Sequence, residues 1–218
     1  WRYSVSTDVL GYLVEVISDT TFDRFLAERI FGPLGMVDSS FYVPEHKLDR
    51  LVAVYGRGEG GRSRELDHPQ VNSYKRPHPM FSGGGGLVGT AADYFRFSQM
   101  MLNGGALNGT RLLAPKTVEL MTMNHLPEAL LPFSVFDERA YEMDGCGFGL
   151  GFRVVTDIAQ HGILGTEGTY SWGGAAGTVF WVDPDEELIA ILMTQLIPSG
   201  QYDIWRDFQV AIYQALVE

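Results

Sequence analysis

The residues with the clearest chemical potential lie between Gly168 and Pro184: Trp172, Gly173, Gly174 and Ala175, entered from Tyr170-Ser171 and followed by the β-prone run from Thr178 to Asp183. Glycine inside a strand costs backbone entropy and packs nothing; what it permits is close approach of another backbone or of a ligand. A bare strand beside a pocket can turn a backbone N–H towards the charge that develops on a carbonyl oxygen during acyl transfer. The same residues would also suit a β-bulge in an ordinary hairpin, so these letters alone leave both readings open.

Acyl transfer needs a nucleophile, and three serine layouts can be tested. There is no G-x-S-x-G, which excludes the nucleophile elbow. The Ser-x-x-Lys arrangement is absent as well: Lys47, Lys75 and Lys116 are preceded three residues earlier by Pro44, Asn72 and Leu113. A dispersed Ser/His/Asp triad stays open but draws little support from His46, His68, His78, His125 and His161, which follow no motif. Their scatter also fails every metal spacing, and no metal is expected. Cys146 reads as a small buried filler and His161 as a solvent-facing loop residue. Gly84, Gly86 and Gly89 formally satisfy G-x-G-x-x-G. The segment before them, Lys75 to Phe81, is no hydrophobic strand, so a nucleotide site is the weaker account and a tight backbone passage the better one.

The elements that would position these residues follow from periodicity. Ser6 or Thr7 can cap a helix to about Ile17, with Val9, Leu10, Leu13, Val14 and Ile17 on one core-facing side. Thr21 can cap a second helix carrying Phe22, Phe25, Leu26 and Ile30, stopped by Gly32-Pro33-Leu34-Gly35. Residues 45–80 read as a long polar excursion that could roof a pocket. Thr90 and Asp93 form a capping-box pair for a helix to Leu102, and Pro115 opens another to about Met123. Gly147 to Val155 reads as one strand. Residues 170–175, 178–182 and 188–195 then make an antiparallel meander, and a helix over 203–217 presents Ile204, Phe208, Ile212 and Leu216 to it.

Composition sets the outer bounds. The 218 residues suit one domain with a proper core. A net charge of −11 argues against nucleic acid or an anionic membrane surface as partner. The apolar run from Leu188 to Met193 is too short to span a bilayer. One cysteine excludes an internal disulfide and leaves the compartment open.

The order of parts resembles one family. Tyr3-Ser4-Val5 stands before a helix, Gly83 to Gly86 before the Thr90–Asp93 helix, and Trp172-Gly173-Gly174 before a hairpin and terminal helix. Together with Phe31-Gly-Pro-Leu-Gly-Met36, these resemble the serine β-lactamase/penicillin-binding-protein superfamily, specifically its class C-like carboxylesterase branch (family VIII esterases). The likeness runs over nearly the whole chain. It implies an α+β fold, an antiparallel sheet flanked by helices, of which residues 1–218 would be the C-terminal part of a single domain. It implies Tyr3 as the tyrosine beside the nucleophile, Ala175 as donor of one oxyanion-hole N–H, and Trp172, Gly173 and Gly174 as the substrate wall. It implies no cofactor, a small ester or amide substrate, and a soluble bacterial protein of cytoplasm or periplasm.

The family's Ser-x-x-Lys lies upstream of its tyrosine, and only two residues precede Tyr3. A free phenol ionises near pH 10, so about a thousandth is phenolate at neutrality, and in the family a neighbouring lysine makes tyrosine a usable base. The expectation is therefore a chain inert alone, completed by an N-terminal fragment of the same protein. Trp172 stands where lactamases and peptidases place a cation for the substrate carboxylate, which favours a neutral ester. The alternatives are a β-lactamase or D-alanyl peptidase of the same fold, or an inactive binding module derived from it. Plainer roles also exist for Tyr3, as a partly buried aromatic, and for Trp172, as core.

Overall fold

The structure is a computed structural model and describes residues 1–68, 73–135 and 142–217. The apolar spacing after Tyr3 does produce a helix, α1 (Ser6–Ser18), but two expectations about it are overturned. Its N-cap is Val5, with no side-chain cap, so neither Ser6 nor Thr7 serves. Most of the face expected in the core is turned outwards: Val9 is 54%, Leu10 59%, Leu13 44% and Ile17 82% exposed, while Val14 is half-buried and Gly11 alone is buried. The side of α1 that touches the protein carries small and polar groups, Gly11 with Thr7 and Asp8. A Cβ on Gly83 would stand 2.0 Å from the Thr7 carbonyl oxygen, and Gly11 packs against Gly83. Asp8 accepts hydrogen bonds from the Ser82 hydroxyl and from Gly84 N–H. The glycine run 83–86 is thus a close passage along the first turns of a helix, and no phosphate cradle is needed to explain it.

Helix α2 (Phe22–Leu26) runs through a π-turn, Ala27–Phe31, into the single turn α3 (Gly32–Leu34). The stop is Gly35, left-handed at φ 69° and the last residue of the expected Gly32–Gly35 segment, while Pro33 sits inside the turn α3 instead of ending the helix. Within the expected excursion, β1 (Val54–Arg57) and β2 (Ser63–Asp67) form a hairpin that periodicity missed. β2 is exposed over most of its length, and the buried inward position of β1 is Gly56, which carries no hydrophobic signal.

Helix α4 (Ala91–Leu102) is capped by Thr90, whose hydroxyl accepts from Asp93 N–H at 3.2 Å. The reciprocal half of the box is not made. The buried Asp93 carboxylate instead accepts from Asp38 N–H at 2.7 Å and the Ser39 hydroxyl at 2.9 Å, tying α4 to the segment after α3. A two-strand ribbon follows, β3 (Ala106–Leu107) with β4 (Thr110–Arg111), then α5 (Pro115–Met121) with Pro115 in its first turn, as read from sequence. A second ribbon pairs β5 (Phe133–Ser134) with β6 (Glu142–Met143).

The main sheet is antiparallel. The expected single strand at 147–155 is two, β7 (Cys146–Phe148) and β8 (Arg153–Val155), folded back at Gly149-Leu150-Gly151, where Gly151 takes φ 100°. A short helix α6 (Ile158–His161) leads to β9 (Tyr170–Gly173), β10 (Val179–Asp183) and β11 (Leu188–Leu192), and the sheet order is β11-β10-β9-β8-β7. Strand β12 (Leu196–Ile197) then leaves this sheet and pairs in parallel with β1. Helix α7 (Ile204–Ala215) closes the fold.

Two cores result. Val154, Tyr170, Phe180 and Val182 pack with Met100 and Met101 of α4, Phe31 and Leu34; Phe133, Cys146 and Val155 form a smaller cluster. The stripe expected on α7 is rotated. Ile204 and Leu216 are exposed, while Phe208 meets Trp181 edge-on, Gln209 is buried, and Tyr213 reaches Asp183.

Candidate active site

Tyr3 precedes α1, and Trp172 lies on β9, in the middle of the main sheet. Their rings meet at 5.1 Å between centroids, tilted by 51°. Around them stand Trp1, 6.3 Å from Tyr3 and 4.8 Å from Phe148, and Phe133, 4.9 Å from Trp1. Phe148 touches Trp172 edge-on at 5.1 Å, so five aromatic rings form one continuous group. Such contacts contribute about 0.5–1.5 kcal/mol each beyond area burial, enough to hold the chain's first residues against the sheet. Tyr3 and Trp172 are both half-buried, and Trp172 also packs on the main core. The core role and the approach to Tyr3 coexist in one residue.

Gly173, Gly174 and Ala175 follow at once, and β9 is shorter than expected: it ends at Gly173, with Ala175 in a turn rather than on a strand. Gly174 N–H donates to Thr178 O at 2.8 Å, and Gly177 N–H closes the turn onto Gly174 O at 3.0 Å. Neighbouring N–H groups on an extended chain point to opposite sides. Gly173 N–H therefore faces away from β10, towards the side where β8 has stopped, since β8 pairs with β9 only through Ser171 and Tyr170. The Ala175 N–H has no protein acceptor among the described residues. Gly173 pairs with Val179 in regular register. A Cβ on Gly174 would lie 2.4 Å from the Thr178 hydroxyl, which would have to turn away to admit it.

Three features elsewhere in the chain could be mistaken for chemistry. His161 is half-buried rather than solvent-facing, its Nδ1 lying 3.4 Å from Cys146 Sγ. Burial, then the Arg153 charge, lowers its pKa, and burial raises that of Cys146, so the pair favours neutral thiol and neutral imidazole over a nucleophilic thiolate. Arg153 itself donates to Ser171 Oγ at 3.0 Å and lies over the Trp205 ring. A cleft of about 470 Å³ lies between α6 and α7, lined by Ile158, Leu164, Arg206 and Val210 among others. It shares no residue with the Tyr3–Trp172 group, and nothing lining it can act as a nucleophile. Among the described residues no three His, Cys, Asp or Glu side chains converge on a metal-sized site.

Sequence reasoning missed Asp183, read only as a turn residue. It is fully buried and accepts from the Thr166 and Tyr213 hydroxyls, each at 2.5 Å. The alternation along β10 places it on the face that meets α7, which was the available signal.

With this geometry the chain can be compared with known proteins. The Beta-lactamase family model matches residues 1–214, and the chain belongs to that family. Its fold is that of the serine β-lactamase/penicillin-binding-protein superfamily. Protein Rv1367c of Mycobacterium tuberculosis is 37% identical over 206 residues, 92% of this chain and 50% of that protein. The lovastatin esterase of Penicillium rubens is 28% identical over 232 residues, 95% of this chain and 56% of its own. Unliganded simvastatin synthase, LovD, from Aspergillus terreus superposes with a TM-score of 0.80 at 24% identity, covering all of this chain and 56% of that one, a likeness of fold. The chain spans about half the length of these relatives.

Proposed function

We propose that residues 1–218 are the C-terminal part of a single serine hydrolase domain that cleaves short-chain carboxylic esters through an acyl-enzyme. The Ser-x-x-Lys nucleophile is supplied by an N-terminal piece outside these residues. In this reading the serine oxygen attacks the ester carbonyl while its proton passes to the Tyr3 oxygen, held as phenolate by the lysine of the N-terminal piece. The oxyanion is met by the Ala175 N–H and the nucleophile's own N–H. Collapse expels the alcohol, which regains a proton, and water then releases the acid by the same route. Trp172, Gly173 and Gly174 wall the substrate. An indole offers a carboxylate no counter-charge, so a neutral ester suits this wall better than a β-lactam or D-alanyl peptide.

The observation that carries the reading is the contact between Tyr3 and Trp172, residues far apart in the chain, with an N–H at Ala175, three residues after Trp172, that has no acceptor among the described residues. The exposed apolar face of α1 supports a further piece of protein packing there, since a run of Val9, Leu10, Leu13 and Ile17 in water is the kind of patch that marks an interface. The test is on the polypeptide that carries both pieces, with short-chain p-nitrophenyl esters expected to be cleaved much faster than a chromogenic cephalosporin. The reverse ranking removes Trp172 as the discriminator. Labelling of a serine within these 218 residues alone, by a fluorophosphonate, would overturn the division of labour.

A further inference from the structure

We propose that Thr194 is a positioning residue for the Ala175 N–H, an inference that rests on the hydrolase reading above. The turn that carries this N–H is built on Gly174 and Gly177, whose missing side chains leave the backbone free to swing. One end is held by the sheet, through Gly174 N–H to Thr178 O at 2.8 Å. The other is held from outside. The Thr194 hydroxyl lies 3.1 Å from Ala176 O and 2.8 Å from Gly177 O, sharing its proton between consecutive carbonyls. Leu196 N–H also donates to Ala176 O at 2.9 Å.

Gly177 is left-handed at φ 80°, and a Cβ there would come within 2.3 Å of Thr194 Oγ1, so a side chain at 177 would displace the hydroxyl from its place. Behind Thr194 the chain is anchored in the smaller sheet: Tyr55 N–H donates to Gln195 O at 2.8 Å, and Tyr55 pairs with Leu196. Thr194 thus ties a glycine-loosened turn of the main sheet to an independent sheet. With both ends clamped, the peptide between Gly174 and Ala175 keeps one orientation, and its N–H stays aimed at the place where charge develops. A preorganised donor loses much of its effect when it is free to turn away.

The experiment uses the polypeptide carrying both pieces, assayed on the p-nitrophenyl ester or the cephalosporin, whichever it cleaves faster, with kcat expressed per titrated active site. Removing an oxyanion donor outright costs about 10²–10³ in kcat; loosening one is expected to cost about 10–100-fold. Thr194→Val should show that loss with KM within about twofold, and Thr194→Ser, which keeps the hydroxyl, should stay within about threefold of the parent. If Thr194→Val does not fold, Thr194→Ala takes its place in the same comparison.

A purely structural threonine would lower Tm or the titratable fraction and leave kcat per site alone, and that result overturns the proposal. So does serine failing as badly as valine. An inert parent polypeptide overturns this proposal and the hydrolase reading together. A parent that prefers the cephalosporin overturns the ester assignment while Thr194 is still decided by its own variants.

Discussion

Asp183→Asn is expected to destabilise the fold by about 2–4 kcal/mol, although it changes one atom in a residue the sequence places at a turn. The side chain is fully buried at the end of β10. Its Oδ1 accepts from Thr166 Oγ1 at 2.5 Å and Glu186 N–H at 3.3 Å, and its Oδ2 accepts from the Tyr213 hydroxyl at 2.5 Å. A hydrogen bond to a charged group contributes about 1.5–3 kcal/mol, and a buried donor that loses its acceptor costs about 1–3 kcal/mol. Asparagine keeps the shape but turns an NH₂ towards one of two hydroxyl groups that already donate. Tyr213→Phe should cost about 1.5–3 kcal/mol by itself. Because both changes break the same contact, the double variant should fall short of the sum by about 1–3 kcal/mol. Urea unfolding followed by tryptophan fluorescence measures this, since the Trp181 ring stacks on Tyr213 with 6.5 Å between centroids. Strict additivity, or a cost below about 0.5 kcal/mol for Asp183→Asn, would refute the anchoring role.

Three further outcomes are expected. In the polypeptide that includes the nucleophile, Tyr3→Phe should lower kcat about 10²–10⁴-fold while the ring stays packed on Trp172; an unchanged kcat would remove Tyr3 from the chemistry. Asp38 is held well below the usual carboxylate range by hydrogen bonds from Arg50 and Lys47, so its stabilisation is complete above about pH 4 and is lost as pH falls through the folded value. Asp38→Asn should flatten the acid limb of stability against pH, and an unaltered limb would contradict the pairing. Cys146, buried and with its thiol pKa raised by that burial, should react with an alkylating reagent only as the chain unfolds, so equal rates in native and denatured protein would contradict its placement.

Local signals carried much of the fold. The 3.6-residue spacing gave α1, α2, α4, α5 and α7 within a few residues, and β-prone runs between turn residues gave the meander β9–β11. The family resemblance singled out Tyr3, Trp172, Gly173, Gly174 and Ala175, and the fold brings the two aromatic rings together. What escaped was non-local. The pairing of β12 with β1 joins residues 196–197 to 55–56, and no periodicity encodes a partner so distant. The clamp on the Gly174–Gly177 turn is of the same kind, because a threonine following β11 carries no local mark of the carbonyls it will meet.

The sequence by itself determined which segments could be helix or strand, because helical period and turn chemistry act over a few residues. It also determined the chemistry that is absent, because a lysine or a motif is either present in the chain or not. Only the tertiary structure decided which faces are covered: Val9, Leu10, Leu13 and Ile17 look like core letters and lie exposed, while Asp183 looks like a surface turn and lies at zero exposure. Burial depends on what packs against a residue from elsewhere in the chain, and a side chain's own hydrophobicity says only what such packing would be worth.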